Sequence, residues 1–251
     1  MSLGRTYAIV IPAYNEEKLL AATLEAALKC LKATPDHEGR IVVVDNNSTD
    51  QTGAIAKDYG VEVIFEEVNQ ISRARNAGGR NCPDADYLIF LDADSLLTPE
   101  LLLFSLEKLD SGKHCGGGAL FELDCQAGKN VAAIWAVISK LTGLAGGAFI
   151  FCLNEAFKDV QGFSEKVYAA EDVLFSRALK KWGRKRKQSF IISTKIKIFT
   201  SDRKLKWHSN WMILKTFLLI SFFPWRVRNR DKMKLWYERP EEKDSELKKK
   251  H

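Results

Sequence analysis

Two aspartates that follow an apolar run are among the residues of this sequence best suited to chemistry. Asp92 and Asp94, one residue apart, come directly after Tyr87–Leu91 (YLIFL). Carboxylates at this spacing can bring oxygens to one divalent cation and to the phosphates or ribose of a nucleotide, and hard oxygen ligands suit Mg²⁺ or Mn²⁺. The structural alternative is a solvated turn in which Asp94 or Ser95 caps the residues that follow.

A second acidic pair, Glu171 and Asp172, comes directly before a stretch with helical spacing of apolar residues. Val173, Leu174, Ala178, Leu179 and Trp182 form that pattern and predict a helix over Asp172–Trp182. Carboxylates at a helix N-terminus are stabilised by the helix dipole, which is a complete structural explanation of the pair.

The elements that must position these residues alternate between strands and helices over the first ~110 residues. Such alternation predicts a mostly parallel, doubly wound α/β sheet that binds ligands at the carboxyl ends of its strands. The polar loops after Ile11, Val44 and Leu91 all fall at that edge. The predicted strands are Tyr7–Ile11, Ile41–Val44, Val61–Phe65 and Tyr87–Leu91, and the predicted helices are Leu19–Leu31, Thr52–Tyr59, Arg73–Arg80 and Pro99–Leu109, the last with Thr98 as N-cap.

The later part of the chain continues the α/β pattern without a visible linker before about Leu205. We therefore predict one domain over residues 1–205 and a basic, partly apolar, helical C-terminal extension over residues 206–251. After a segment at Gly118–Leu123, the predicted elements are a helix around Asn130–Leu141, a strand at Ala148–Cys152 and a β-rich stretch at Phe190–Phe199.

Composition and charge narrow the class of protein further. The chain has 251 residues, of which 46% are hydrophobic and 28% charged. This composition excludes a disordered, a collagen-like or a coiled-coil protein. Five cysteines without a CxxC pair, and no secretory signal, predict a reducing, cytoplasmic setting. Lys180–Lys234 contains 17 Lys and Arg against two Asp, a net +15, which predicts an anionic neighbour such as phospholipid headgroups, a phosphorylated substrate or nucleic acid.

The most apolar segment, Trp211–Trp225, lies inside this basic region. Its uncharged part, Thr216–Trp225, is ten residues long, whereas a spanning helix needs roughly 20. Five Lys and Arg residues follow immediately, so an amphipathic segment at the face of an anionic membrane is one prediction. Packing on the domain or at a homodimer interface is the alternative.

Five motifs, in order, resemble those of family 2 glycosyltransferases with the GT-A fold. The resemblance covers most of Tyr7 to about Leu205, and it implies a Rossmann-like sheet flanked by helices and a nucleotide-diphosphate-sugar donor, with UDP or GDP favoured. The motifs are IPAYNEE at 11–17, VVDNNSTDQT at 43–52, SRARNAG at 72–78, FLDADS at 90–95 and GFSEKVYAAEDVLFSRALKKWG at 162–183.

The resemblance implies a binding site for the donor nucleotide on the first two motifs. Pro12, Ala13, Tyr14 and Glu16 would line the base and ribose, and Asp45 would accept a hydrogen bond from a base edge. An aromatic ring can stack on a base and a carboxylate can accept from an imide or amino N–H, so the residue types fit. For Glu16 the alternative is a cap of the following helix.

The resemblance also implies residues for the diphosphate and its cation. Arg75 would reach the base or the diphosphate, and Arg203 would lie near the diphosphate, since a guanidinium matches phosphate oxygens. Asp94 and Asp92 would bind Mn²⁺ or Mg²⁺, and His208 would complete the metal shell. Arg75 as a surface arginine and His208 as a surface histidine are the alternatives.

Catalysis in the family implies that Asp172 deprotonates the acceptor hydroxyl and that Glu171 supports its position or binds the acceptor. A base opposite the leaving diphosphate gives single displacement with inversion. Gly146 and Gly147 would either let the backbone approach the donor sugar or form only a turn.

Two departures from the family pattern limit the prediction. The frequent VDDGS motif has Asn46 in place of its second aspartate here, so only Asp45 inherits a role. A QxxRW motif and multiple membrane spans, features of processive polysaccharide synthases, are absent from this sequence. The chain is therefore predicted to transfer one sugar to an acceptor hydroxyl, with a lipid-linked or membrane-proximal acceptor as a further hypothesis.

Two rival functions remain open from the sequence. A sugar-phosphate nucleotidyltransferase would also use an α/β nucleotide fold, but its Gly-rich basic phosphate loop is missing from the N-terminal motif. A non-catalytic nucleotide or polyanion binder could use the basic region. No nucleic-acid-reading motif is present, so no nucleic-acid partner is predicted.

Overall fold

A computed structural model describes residues 4–123, 132–133, 135–137, 139–140, 142–201, 203 and 229. The predicted C-terminal extension, with His208 and Trp211–Trp225, lies outside the described residues, so the predictions for it stay untested. The predicted helix around Asn130–Leu141 is described only in part.

Eight strands in the described part of the chain form one mixed sheet. Its order is β3-β2-β1-β4-β7-β6-β8-β5. The strands are β1 (Thr6–Ala13), β2 (Glu38–Asp45), β3 (Glu62–Phe65), β4 (Tyr87–Leu91), β5 (Ser95–Leu96), β6 (His114–Glu122), β7 (Phe149–Leu153) and β8 (Ser189–Thr200).

The first four strands run parallel, as the sequence predicts. Ile9 of β1 pairs with Ile41 of β2 on one side and with Ile89 of β4 on the other. Both neighbouring strands are buried runs of β-branched and aromatic residues, typical of parallel strands covered on both faces. The loops after β1, β2 and β4 therefore lie at one edge of the sheet, which confirms the predicted α/β class.

Helices cover both faces of the sheet. On one face α1 (Leu20–Lys32), α2 (Thr52–Asp58) and α4 (Pro99–Asp110) border a core centred on the odd-numbered residues of β1. On the other, α3 (Ile71–Arg80), α5 (Asn154–Asp159) and α6 (Glu171–Lys185) border a core that includes Phe90, Phe163 and Phe175. The predicted cap of α4 is present, since the backbone N–H of Leu101 donates to Thr98 Oγ1 at 3.3 Å.

The orientation of β7 and the helix α5 are among the features that differ from the sequence prediction. Strand β7 runs antiparallel to both β4 and β6, an orientation that a continuous apolar run does not reveal. Helix α5 has only six residues, too few for a helical period to be visible. None of the helices in the described part of the chain has the length and hydropathy needed to cross a bilayer.

Candidate active site

The aspartates after β4 form a tight turn that is fastened to the end of β8. The backbone N–H of Ser95 donates to the carbonyl oxygen of Asp92 at 3.1 Å. Asp94 is 8% exposed, and its Oδ1 accepts a hydrogen bond from Thr200 Oγ1 at 3.3 Å. The carbonyl oxygen of Asp94 also accepts from the backbone N–H of Ser201 at 3.0 Å. The end of β8 therefore holds the Asp94 carboxylate in place.

Arg75 joins the two acidic pairs of the sequence. This side chain on α3 is 1% exposed, and its Nη2 donates to Asp92 Oδ1 at 2.8 Å and to the carbonyl oxygen of Gly147 at 2.9 Å. Its Nη1 donates to Glu171 Oε1 at 2.8 Å. Burial alone would lower the pKa of Arg75, but the carboxylates of Asp92 and Glu171 raise it above its ordinary value. The guanidinium is therefore charged and holds both acidic segments together.

Asp172 lies beside this bridge at the start of α6. Its Oδ1 accepts a hydrogen bond from the backbone N–H of Val173 at 2.7 Å. Burial, followed by repulsion from Glu171, raises the pKa of the Asp172 carboxyl to about 7, against the opposing effect of Arg75. A carboxyl with such a pKa can accept a proton near neutral pH.

Gly147 keeps the space between Arg75 and Asp172 open. A Cβ atom at this position would lie 3.1 Å from Arg75 Nη2 and 3.3 Å from Asp172 Oδ2. Both approaches are tighter than ordinary van der Waals contact, so any side chain here would displace one of the two groups. The proximity explains why glycine precedes β7.

The loops after β1 and β2 form the end of the candidate site away from Asp172. Asp45 closes β2, and its Oδ1 accepts from the backbone N–H of Ser48 at 2.9 Å. A Cβ atom on Gly53 would lie 2.7 Å from Asp45 Oδ2, so the start of α2 passes directly beside this carboxylate. The backbone N–H of Glu16 donates to Thr52 Oγ1 at 2.7 Å, which ties the two loops together.

The predicted base-lining residues occupy the same edge. Pro12 and Ala13 are buried at the end of β1, where they pair with Val44 and Asp45, and Tyr14 is partly exposed in the loop that follows. Tyr14 therefore lies in the loop that follows the Ala13–Asp45 pair, and a base-binding role for these residues stays a prediction.

Arg203 contacts the N-terminal motif from the far end of the domain. Its Nη2 donates to both carboxylate oxygens of Glu16, at 2.7 and 2.6 Å. The Glu16 side chain is 7% and the Arg203 side chain 19% exposed. The sequence prediction placed Arg203 at the diphosphate and Glu16 at the ribose; the structure brings the two together as an ion pair.

Arg75 lies in a setting that the sequence did not predict. The prediction of a base or diphosphate contact, and its alternative of a surface arginine, both assumed an accessible guanidinium. The structure instead buries the side chain between Asp92 and Glu171, with its guanidinium 5.1 Å from the ring centre of Phe163. Glu171, predicted to support Asp172 or bind the acceptor, is held by the same bridge.

Sequence reasoning also missed the polar residues that hold the site loops. Asn46 Nδ2 donates to the carbonyl oxygens of Glu66 and Val68 at 3.2 and 2.6 Å, and its Oδ1 accepts from the backbone N–H of Gln70 at 2.9 Å. Gln70 Nε2 in turn donates to the carbonyl oxygen of Val167, at 2.9 Å. An amide can make both kinds of bond, whereas the aspartate frequent in the family could not donate.

The carboxylate oxygens of Asp92 and Asp94 are ligands that fit Mg²⁺ or Mn²⁺. Among the described residues no group of three His, Cys, Asp or Glu side chains is placed to hold a metal ion. These cations usually keep several waters and need only one or two carboxylates together with substrate phosphates. Two hard carboxylates meet that requirement, Asp94 held by Thr200 of β8 and Asp92 held by Arg75, while His208 lies outside the described residues.

Comparison with known proteins finds a family that matches part of the chain. Residues 8–127 match the family model described as "Glycosyl transferase family 2". The chain is 34% identical over 103 residues to poly(ribitol-phosphate) beta-glucosyltransferase of Bacillus spizizenii, which is 38% of this chain and 16% of that relative. It is 35% identical over 74 residues to dolichyl-phosphate beta-glucosyltransferase of Mus musculus, 28% of this chain and 23% of the relative. The matches thus span less than a quarter of either relative.

Solved structures of low identity share the fold. Staphylococcus aureus TarS 1–349 in complex with UDP-GlcNAc superposes with a TM-score of 0.61 at 19% identity, covering 78% of this chain and 58% of that one. The Pyrobaculum calidifontis mannosyltransferase PcManGT, in complex with GDP-Man and Mn²⁺, gives a TM-score of 0.67 at 16% identity, covering 91% and 66%.

The mixed sheet flanked by helices matches solved structures with the GT-A glycosyltransferase fold. Together with the match over residues 8–127, which is just under half of the chain, this shared fold supports a family 2 glycosyltransferase, a class of sugar-transferring enzymes.

Proposed function

We propose that this chain transfers one sugar, with inversion, from a nucleoside-diphosphate sugar to an acceptor hydroxyl, using Mn²⁺ or Mg²⁺. The observation that carries the proposal is the junction of Asp92, Arg75 and Glu171 beside Asp172, because it joins the candidate donor end to the candidate base. The UDP-GlcNAc, UDP and GDP-Man in the structural neighbours support a UDP- or GDP-linked donor.

The candidate base has one oxygen available for chemistry. Asp172 Oδ1 is engaged by the N–H of Val173, while Oδ2, which makes no hydrogen bond with the described residues, faces Gly147. In the proposed reaction this oxygen takes the proton of the acceptor hydroxyl. The acceptor oxygen then bonds to the anomeric carbon as the bond from that carbon to the diphosphate breaks.

The donor would lie along the sheet edge. Tyr14 and Asp45 would bind the base, the side chains of Asp94 and Asp92 would hold the cation, and Arg203 would move from Glu16 toward the diphosphate. The cation would supply electrostatic stabilisation of the charge that develops on the leaving diphosphate. Arg75 keeps Asp92 and Glu171 fixed and so limits reorganisation of the site during the reaction.

The names of the relatives supply candidates for the acceptor. Two relatives are named as poly(ribitol-phosphate) transferases, and others as dolichyl-phosphate or undecaprenyl-phosphate transferases, so phosphate-bearing and lipid-linked acceptors are both represented. Membrane docking through the basic C-terminal region and a homodimer remain proposals. Co-sedimentation with anionic vesicles at low salt and light scattering of the full chain test them.

A thermal-shift experiment tests donor binding. UDP, GDP, dTDP and CDP are added with and without Mn²⁺, because a ligand of the native state raises its apparent stability. At a hundredfold excess over Kd the stabilisation is about 2.7 kcal/mol. We expect a metal-dependent shift with one nucleotide that is lost in Asp94→Ala. No shift with any nucleotide would favour the non-catalytic alternative.

A further inference from the structure

Helix α6 carries a row of exposed cations that the proposed reaction does not use. Arg177, Lys181 and Lys185 are four residues apart, so they recur on one face about every 6 Å. Arg184 lies beside them. All four side chains are exposed, and none forms an ion pair with a carboxylate in the described part of the chain. We call these four residues the α6 basic stripe.

The stability of the helix does not explain the whole stripe. Arg184 and Lys185 lie in the last turn, where the helix dipole favours cations. Arg177 and Lys181 lie in the middle of the helix, and like charges four residues apart destabilise it. No acidic residue follows Asp172 within α6 to offset this repulsion. The mid-helix cations therefore point to an external partner of opposite charge.

A groove runs beside the stripe and widens the same surface. Its volume is about 570 Å³. Leu174 and Ala178 of α6 line one wall, and they lie on the helical face that continues into the stripe. Arg80 and Lys166 are among its other lining residues. Glu165 is the single acid that lines the groove, and Arg80 Nη2 already donates to it at 3.2 Å. The groove and the stripe together form a surface of positive charge.

We propose that the stripe and the groove bind a linear polyanion, an acceptor chain with repeated phosphate groups, and guide it to Asp172. The inference rests on the proposed function, because α6 begins at the candidate catalytic pair. Arg177 lies about 8 Å and Lys185 about 20 Å along the helix from Asp172. The cations of the stripe follow one helix and continue into a groove, a track that matches a linear chain, whereas a bilayer would contact a broad flat face. Such attraction weakens as salt rises.

The test uses the full chain and inorganic polyphosphate as the probe. The stripe variant is Arg177→Gln, Lys181→Gln, Lys185→Gln. Glutamine preserves helix propensity. The matched control removes three exposed cations from the helices on the opposite face of the sheet: Lys29→Gln, Lys32→Gln, Lys57→Gln. We expect the stripe variant to raise the Kd about tenfold at low salt and to flatten its salt dependence, and the control to change it less than twofold.

Hydrogen exchange locates the contact. Polyphosphate should slow amide exchange over residues 173–185 in the unmodified chain and not in the stripe variant. Equal weakening in both triple variants would show a response to overall charge and overturn the proposal. Stripe-dependent binding to phosphatidylglycerol vesicles without binding to polyphosphate would overturn it in favour of a bilayer.

Donor binding separates this inference from the proposed function. The nucleotide thermal shift should be the same in the stripe variant as in the unmodified chain. If no nucleotide shifts the melting temperature while polyphosphate still binds at the stripe, the transfer function fails and the polyanion is not an acceptor. If nucleotides bind and polyphosphate does not, the inference alone fails.

Discussion

Replacing Arg75 tests the bridge on which the geometry of the site depends. Arg75→Leu removes three hydrogen bonds, at 2.8, 2.8 and 2.9 Å, and one buried positive charge. It leaves the side chains of Glu171 and Asp92, 9% and 18% exposed, as neighbouring carboxylates without their counter-ion. Removing one member of a buried ion pair costs about 3–5 kcal/mol.

For a chain of this size each kcal/mol lowers the melting temperature by about 2–4 °C, so the expected loss is about 6–20 °C. The loss should be larger near pH 8 than near pH 5, because the pKa of Asp172 is about 7 and the charge of Arg75 stabilises the ionised form of that carboxyl, which predominates only at the higher pH. Calorimetric melting at both pH values measures it. Arg80→Leu is the control: its side chain is 64% exposed, and its pair with Glu165 is worth at most about 1 kcal/mol.

A loss below about 1 kcal/mol in Arg75→Leu, or the same loss at both pH values, would refute the reasoning. The first result would mean that the bridge is dispensable for the fold. The second would mean that the loss comes from packing against Phe163 rather than from charge.

Three further predictions concern neighbouring groups. Asn46→Asp replaces two donated hydrogen bonds by repulsion from carbonyl oxygens, so denaturant unfolding should show a free energy of unfolding lower by about 1–3 kcal/mol. The control is Asn47→Asp, on an exposed residue, which should lower it less. Gly147→Ala should cost about 1–3 kcal/mol through overpacking and slow sugar transfer, and unchanged turnover would contradict the crowding at Asp172. Because the folded-state pKa of Asp172 is raised to about 7, the native state holds one more proton than the unfolded state between about pH 4 and 7. The free energy of unfolding should therefore fall as the pH rises through this window. This decrease should be absent in Asp172→Asn.

The parallel half of the fold could be predicted because its signals are local. Continuous apolar runs such as Ile41–Val44 indicate strands covered on both faces, and the turn chemistry of Thr98 and Pro99 indicates the start of α4. The orientation of β7 depends on pairing with β4 across more than 50 residues, and no local pattern encodes that.

The site was predictable in its residue types and not in its pairings. Asp92, Glu171 and Asp172 could be selected as carboxylates at element ends, yet the sequence gives no sign that Arg75 is buried between the first two. An arginine followed by Asn76 and Gly78 on a short helix looks the same whether it faces solvent or the core. The role of Asn46 was missed for a similar reason, because its carbonyl partners at Glu66 and Val68 lie about 20 residues away.

The central claim is that Asp172 is the base of the transfer reaction. The most direct test compares the Asp172→Asn variant with the unmodified chain in two measurements, the rate of nucleotide release and the affinity for the nucleotide. The donor is the nucleotide sugar whose base gives the thermal shift, and release of the nucleoside diphosphate is followed with Mn²⁺ present. Removal of a general base should slow release by about 10²–10⁴-fold, while the Kd for the nucleoside diphosphate changes less than about twofold. Unchanged release, or an equal loss of release and affinity, would contradict the assignment of Asp172 as the base.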